Sequence, residues 1–346
     1  MLWTRSVYFL LFENIIGLLI NNFNSSFRKY LLVLALSFNQ PRFDPNTTWE
    51  INAINFANQS IAGIEPCAIF VTLNNSIYFA NQQTGEILIW ENDKSINPSK
   101  MTSGNLSKPL ALVVTTNGDI YADNGDKGFV KKWISANDSW ISVMSVPSRC
   151  YGLTIDIYQN VYCSMATSNK VDKKWLNGTT TIVAGTGSPG ATSDKLSGPC
   201  GIFVDTNQDL YVADFSNNRI QLFELNQRNG VTVAGQGSSS ATINLVQPTG
   251  FAFDGDHYLF IVDHGKHRLI GSNEYGFYCI FGCSASSGPT NDKLNLPATM
   301  AFDSYGNIYV TDQYNNRIQK IVKKISYSKF IFLFISVTKK IQTTLN

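Results

Sequence analysis

An all-β, six-bladed β-propeller of four-stranded blades is the fold this sequence predicts. Three observations carry that expectation. A unit of 41 to 49 residues recurs six times. Each copy reads as short β-rich runs broken by Asn, Asp and Gly turns, which is the pattern of a propeller blade. A strand-like run ahead of the first copy supplies the strand that the last copy lacks.

In chain order, residues 1–37 stand apart from the rest. Arg28 and Lys29 precede the apolar run Tyr30 to Leu36, which ends in the small-x-small spacing Ala35-Leu36-Ser37, so an export signal is expected here. An earlier apolar stretch, Val7 to Ile20, is interrupted by Glu13 and Asn14 and is too short for a spanning helix. It is an alternative signal, a short membrane anchor or a misplaced start. The propeller is expected over 49–323, with an atypical extension over 324–346 that is also too short in apolar content to span.

Within the propeller, three segments nearly superimpose. The first runs from Pro199 to Asp205, then Asp209 to Asp214, then Asn217 to Ile220; the others begin at Pro248 and Pro297. Degenerate copies begin at Pro66, Pro109 and Cys150. The six starts are 43, 41, 49, 49 and 49 residues apart, and the aromatics Tyr78, Tyr121, Tyr162, Tyr211, Phe260 and Tyr309 repeat the same intervals, so no insertion separates the two markers. Runs such as Val231 to Gly235 give each unit a fourth strand, but the sixth copy has none after Ile321. The alternating run Trp49 to Phe56 is suited to that place, so the ends are expected to be stitched together. A ring closed this way leaves only short, protected edges.

Composition narrows the function classes. Charged residues make up 15% of the chain, apolar residues 44%, and the net charge is +2. A large core is affordable, and a phosphate-neutralising grip on nucleic acid is not expected. Asn-x-Ser/Thr acceptors occur at Asn24, Asn46, Asn58, Asn74, Asn105, Asn137 and Asn177. With six cysteines they favour an oxidising, extracellular setting.

The residues Gly201 to Asp205, Leu210 to Asp214, Asn217 to Ile220 and Val233-Ala-Gly235 resemble the NHL repeat, and the copies at 250–282 and 299–321 resemble it too. That resemblance implies a six-bladed propeller used mainly as a platform for proteins, peptides or RNA. Some relatives carry zinc modules as ubiquitin ligases and others are extracellular lyases. No Cys-x2-Cys pair is present here, so a ubiquitin-ligase module is not visible.

Candidate chemistry is sparse. The pairs Asp214 with Arg219, Asp263 with Arg268 and Asp312 with Arg317 span a tight hairpin and are expected to fix that turn by charge-assisted bonds. The first three copies hold Asn81 and Glu86, Asn124 and Phe129, and Met165 and Lys170 instead, so they need another device. The residues expected nearest the axis, Cys67, Leu110, Tyr151, Cys200, Thr249 and Ala298, include no acid, base or histidine, so no metal or cofactor is expected there. His257, His264 and His267 invite a zinc site, but they read better as exposed hairpin positions. Cys279 and Cys283 bracket an outer strand and suit a local bridge, and Cys150 and Cys200 are a second candidate pair. The expectation is a monomeric, exported, non-enzymatic module that binds a protein, peptide or glycan around Asn81, Asn124, Tyr151 and Tyr314. A hydrolase or lyase with loop-borne metal ligands and an intracellular protein-binding propeller are the alternatives.

Overall fold

A computed structural model describes residues 38–91, 97–102, 106–238 and 243–324. The expected export segment 1–37, the tail beyond 324, and the acceptors Asn24 and Asn105 lie outside the described residues.

The strands form because the sequence offers β-branched and aromatic runs bounded by residues that tolerate tight turns. β1 is Ile54–Ala57. The first blade is β2 (Ala68–Val71), β3 (Ile77–Ala80), β4 (Ile87–Trp90) and β5 (Lys100–Thr102), and the second runs from β6 (Leu112–Val114) through β7 (Ile120–Asp123) and β8 (Phe129–Ile134) to β9 (Ser139–Ser145). The third comprises β10 (Gly152–Ile155) to β13 (Thr180–Gly185), the fourth β14 (Pro199–Val204) to β17 (Val231–Gly235), and the fifth β18 (Pro248–Phe253) to β21 (Gly276–Phe281). The last blade has β22 (Met300–Phe302), β23 (Ile308–Asp312) and β24 (Arg317–Ile321), and β1 pairs antiparallel with β24 as its fourth strand. Each sheet is a four-stranded antiparallel meander, so the expected six-bladed ring, closed by the N-terminal strand, is what the chain forms.

Side chains alternate across each strand, and in a blade both faces meet a neighbouring blade. Ile69 and Val71 of β2 join the core shared with the last blade, whereas Ala68 joins the core shared with the second. Every pair of neighbouring blades has such a core, from the Cys150–Leu153 side of the second and third blades to the Phe260–Phe302 side of the last two. This double burial explains why second strands such as Ile308–Asp312 read as continuous apolar runs instead of alternating ones.

One turn repeats around the ring. Between the first and second strands, the fourth residue of each loop is left-handed: Asn75, Gly118, Gln159, Gln208, His257 and Gly306. In the last four blades the turn begins with Asp156, Asp205, Asp254 or Asp303, whose Oδ1 accepts backbone N–H groups two and four residues on, at 2.8–3.0 Å. His257 is thus a turn residue.

Upstream of β1, residues 38–50 cross the face that carries these turns. Phe38 bridges Thr72 of the first blade and packs edge-on against Phe203 of the fourth, 5.3 Å between ring centroids. Those blades stand opposite one another, so Phe38 reaches across the end of the central channel. Asn39 Nδ2 donates to Thr72 O at 2.7 Å and Phe302 O at 3.2 Å. Farther out, Trp49 is buried against Phe43 and Phe260, and its Nε1 donates to Gly306 O at 3.0 Å. No helix among the described residues is long and apolar enough to cross a membrane.

Trp49 anchors the closing strand, so Trp49→Ala is expected to destabilise the propeller by about 3–5 kcal/mol, the range for truncating a buried aromatic. Chemical unfolding would measure it; a loss within experimental error would mean that closure does not depend on this anchor.

Candidate functional site

The six first strands surround the axis, and their spacing is set by small side chains near one end. The positions two residues after each start are Ala68, Ala111, Gly152, Gly201, Gly250 and Thr299. A Cβ on Gly152 would lie 2.4 Å from Cys200 O, and one on Gly201 2.5 Å from Thr249 O. From the third blade to the sixth, neighbouring inner strands therefore touch backbone to backbone at this layer, an approach that glycine at 152, 201 and 250 permits. Along the same axis lies a cavity of about 430 Å³ lined mainly by apolar residues, including Phe70, Val113, Phe203, Phe251 and Ala301. Phe38 and Asn39 form part of its wall. Thr116, Asn117 and Gln159, exposed residues of the first-to-second-strand turns in the second and third blades, line its mouth on that turn face. Tyr151, 38% exposed, lines the other end.

Of the residues expected to bind, Tyr151 and Tyr314 are exposed. Asn81 and Asn124 correct the expectation: both are buried and held by their own surroundings. Asn124 Oδ1 accepts Ser107 N–H at 2.9 Å, and Asn81 Nδ2 donates to Ile61 O at 3.2 Å while its Oδ1 accepts Gln83 N–H at 2.9 Å. They are the devices that the degenerate blades use where the later blades have Asp.

The Asp–Arg pairs do more than join two strand ends. Arg219 Nε donates to Asp214 Oδ2 at 2.8 Å, and its Nη atoms reach Ala191 O, Thr192 O and Lys195 O in the loop that leads into the same blade. Asp214 Oδ1 accepts Ser197 N–H at 2.7 Å from that loop. Arg317 and Asp312 repeat this on Pro289, Thr290, Lys293 and Asn295. Arg268 pairs with Asp263 at 2.7 Å, and Val246 N–H donates to Asp263 Oδ1. The pairs of the fourth and sixth blades are buried and held by loop backbone on several sides, the arrangement in which a desolvated ion pair is compensated. Arg268 of the fifth is half-buried and, among the described residues, reaches only Asn244 O in its loop.

A second repeat was not legible from pairwise spacing. From the second blade to the sixth the last residue of the second-to-third-strand turn is left-handed, and in four of these blades its side chain accepts the backbone N–H that precedes the next blade's first strand. Asn169 binds Gly198 N–H, Asn218 binds Gln247, His267 binds Leu296 and Asn316 binds Glu65, all at 2.9–3.0 Å. The last of these clasps the sixth blade to the first. The signal was present in the 49-residue spacing of these four positions. His264 lies at the Phe215 position, not at an exposed hairpin site; burial lowers its pKa, and its Nδ1 is 2.8 Å from Pro297 O. Among the described residues, no group of three or more His, Cys, Asp or Glu is placed to hold a metal.

Cys150 bonds to Cys163, and Cys279 to Cys283. The expected alternative, Cys150 with Cys200, is corrected: Cys150 sits in the core between the second and third blades, and Cys200 in the core between the fourth and fifth. The partner strand of the same hairpin brings Cys163 to a Cα distance of 5.3 Å. Burial pushes the Cys67 and Cys200 thiols up to about 12, far from a reactive thiolate. Burial also pushes the Asp123 carboxyl up to about 6, although the N–H groups of Cys150, Gly125 and Leu110 favour its ionised form.

These features define a six-bladed propeller with an axial cavity. No protein-family model matches the chain, and no curated protein sequence is significantly similar to it. Solved structures do resemble it. A protein of unknown function from Bacteroides thetaiotaomicron has a TM-score of 0.64 at 13% identity, covering 79% of this chain and 76% of that one. An auxiliary nutrient binding protein from the same organism scores 0.58 at 15% identity over 84% of this chain and 76% of that one. Virginiamycin B lyase from Staphylococcus aureus scores 0.55 at 14% identity over 78% of this chain and 98% of that one. Likeness at such identities carries the fold alone.

Two outcomes are expected. Asp123 is protonated in the folded chain between the ordinary carboxylate range and its raised pKa, so its stabilisation is complete at lower pH and is lost as pH rises through about 6. Relative to Asp123→Asn, the native chain should therefore lose about 1.4 kcal/mol for each pH unit of that window, read as melting temperature against pH; parallel curves would contradict the assignment. At the fifth-to-sixth-blade clasp, His267→Asn should preserve stability while His267→Ala loses about 1–2 kcal/mol in urea unfolding, because the Leu296 N–H is left without its acceptor.

Proposed function

We propose that this protein is an exported, divergent NHL-repeat propeller that binds a protein or peptide without catalysing a reaction, with an apolar side chain of the partner seated in the axial cavity. The observation that carries this reading is the cavity itself: about 430 Å³ of mainly apolar lining, with Thr116, Asn117 and Gln159 at its mouth and the paired Lys132 and Asp119 beside them, the form of a site that anchors one apolar group and orients it by a few polar contacts. The groups that would otherwise suggest chemistry support it as well. Asp156, Asp303, His267 and the three Asp–Arg pairs are all engaged with backbone or with one another. The segments Leu210 to Asp214, Leu259 to Asp263 and Ile308 to Asp312, each followed by an Arg five residues after the Asp, support membership of the repeat family, and the two disulfides support an oxidising compartment.

A displayed peptide library selected on the oxidised, purified chain tests the reading. Enriched peptides should share an apolar residue, and Thr154→Phe, which enlarges a cavity-lining side chain, should weaken their affinity at least about ten-fold, or ~1.4 kcal/mol, while the melting temperature stays within a few degrees. Equal affinity for a folded Thr154→Phe variant, or chemical conversion of a bound peptide, would overturn the proposal.

A further inference from the structure

Two of the Asn-x-Ser/Thr triplets share one structural setting. Asn137 and Asn177 occupy the same place in successive blades, the tip of the hairpin between the third and fourth strands. In the antiparallel meander these hairpins lie on the face of the first-to-second-strand turns, the face where the cavity has its mouth. The contacts between the two turns confirm it: Ser135 N–H donates to Asp119 Oδ1, and Leu176 N–H to Asn160 Oδ1. Both asparagines are exposed. In each triplet the hydroxyl of the third residue donates to the asparagine Oδ1, Ser139 at 2.7 Å and Thr179 at 2.8 Å. The Oδ1 is thereby engaged, and Nδ2 has no hydrogen bond to a described residue. Position 178 is a left-handed glycine whose Cβ direction meets nothing within 4 Å, so the chain around Asn177 leaves room for a bulky substituent. The surrounding third and fourth strands make all their pairings without these side-chain amides.

We propose that Asn137 and Asn177 are N-glycosylated, so that two glycans stand on the cavity-mouth face of the second and third blades. The donor is a lipid-pyrophosphate-linked oligosaccharide. A bond forms between Asn Nδ2 and the anomeric carbon, the bond from that carbon to the pyrophosphate oxygen breaks, the amide loses one proton, and the pyrophosphate leaves as its anion; no oxidation or reduction is involved. This rests on the exported reading above.

The full chain, secreted from a eukaryotic host, would be treated with an amidase that converts glycosylated asparagine to its acid, and then mapped by peptide mass. The expected result is the deamidation mark at Asn137 and Asn177, and loss of one glycan's mass in each of Asn137→Gln and Asn177→Gln with the melting temperature unchanged. Bare Asn137 and Asn177 in a secreted product that holds Cys150–Cys163 and Cys279–Cys283 would overturn the inference and leave the exported reading intact. A product retained in the cell, reduced and sugar-free would overturn both.

Discussion

The structure depends on burying both faces of every sheet. A blade of this sequence cannot stand by itself, because its second strand carries apolar side chains toward two neighbours at once. An open stack would leave two such faces in water, and only closure of the ring removes both. The N-terminal strand solves this by making the last blade a composite of the chain's two ends, so that opening the ring would cost a sheet pairing as well as a core. Trp49 and Asn316 hold the composite blade from its two sides, one filling the core it shares with the fifth blade and one clasping it to the first.

The buried charges serve this constraint. Loops between blades carry backbone groups that cannot pair within a sheet, and a buried unpaired group is costly. In the fourth and sixth blades an Asp–Arg pair serves four of these groups and in the fifth two, and in the first two blades a neutral asparagine serves one each. The third blade has Met165 where the others have Asp or Asn, and there the Cys150–Cys163 bond ties the start of the first strand to the second. The chemistry differs from blade to blade while the anchored backbone is the same, which is why charged residues repeat in this chain without marking an active site.

The central cavity follows from the same geometry. Glycines at one layer let the inner strands touch, and larger side chains at other layers hold them apart. The segment from Phe38 to Arg42 then crosses one end, held by Asn39 and by the Gly255 N–H bond to Pro41 O, and it leaves a mouth beside the second and third blades. The two ends of the channel thus differ although the blades are alike.

Much of this was determined by the sequence alone. Six copies with two markers in constant register specify the number of blades, and the missing fourth strand specifies where the ends meet, because strand pairing and apolar burial are repeated locally in each unit. The Asp–Arg pairs were legible for the same reason: their five-residue spacing spans one turn. Tertiary structure decided everything that joins different copies or different faces. Whether Asn124 faces a ligand or the Ser107 N–H, whether Cys150 meets Cys163 or Cys200, and that Phe38 reaches Phe203 are set by the direction in which a side chain leaves its strand and by which blades stand opposite one another. A linear pattern records spacing along the chain; distance across a ring exists only once the ring has closed.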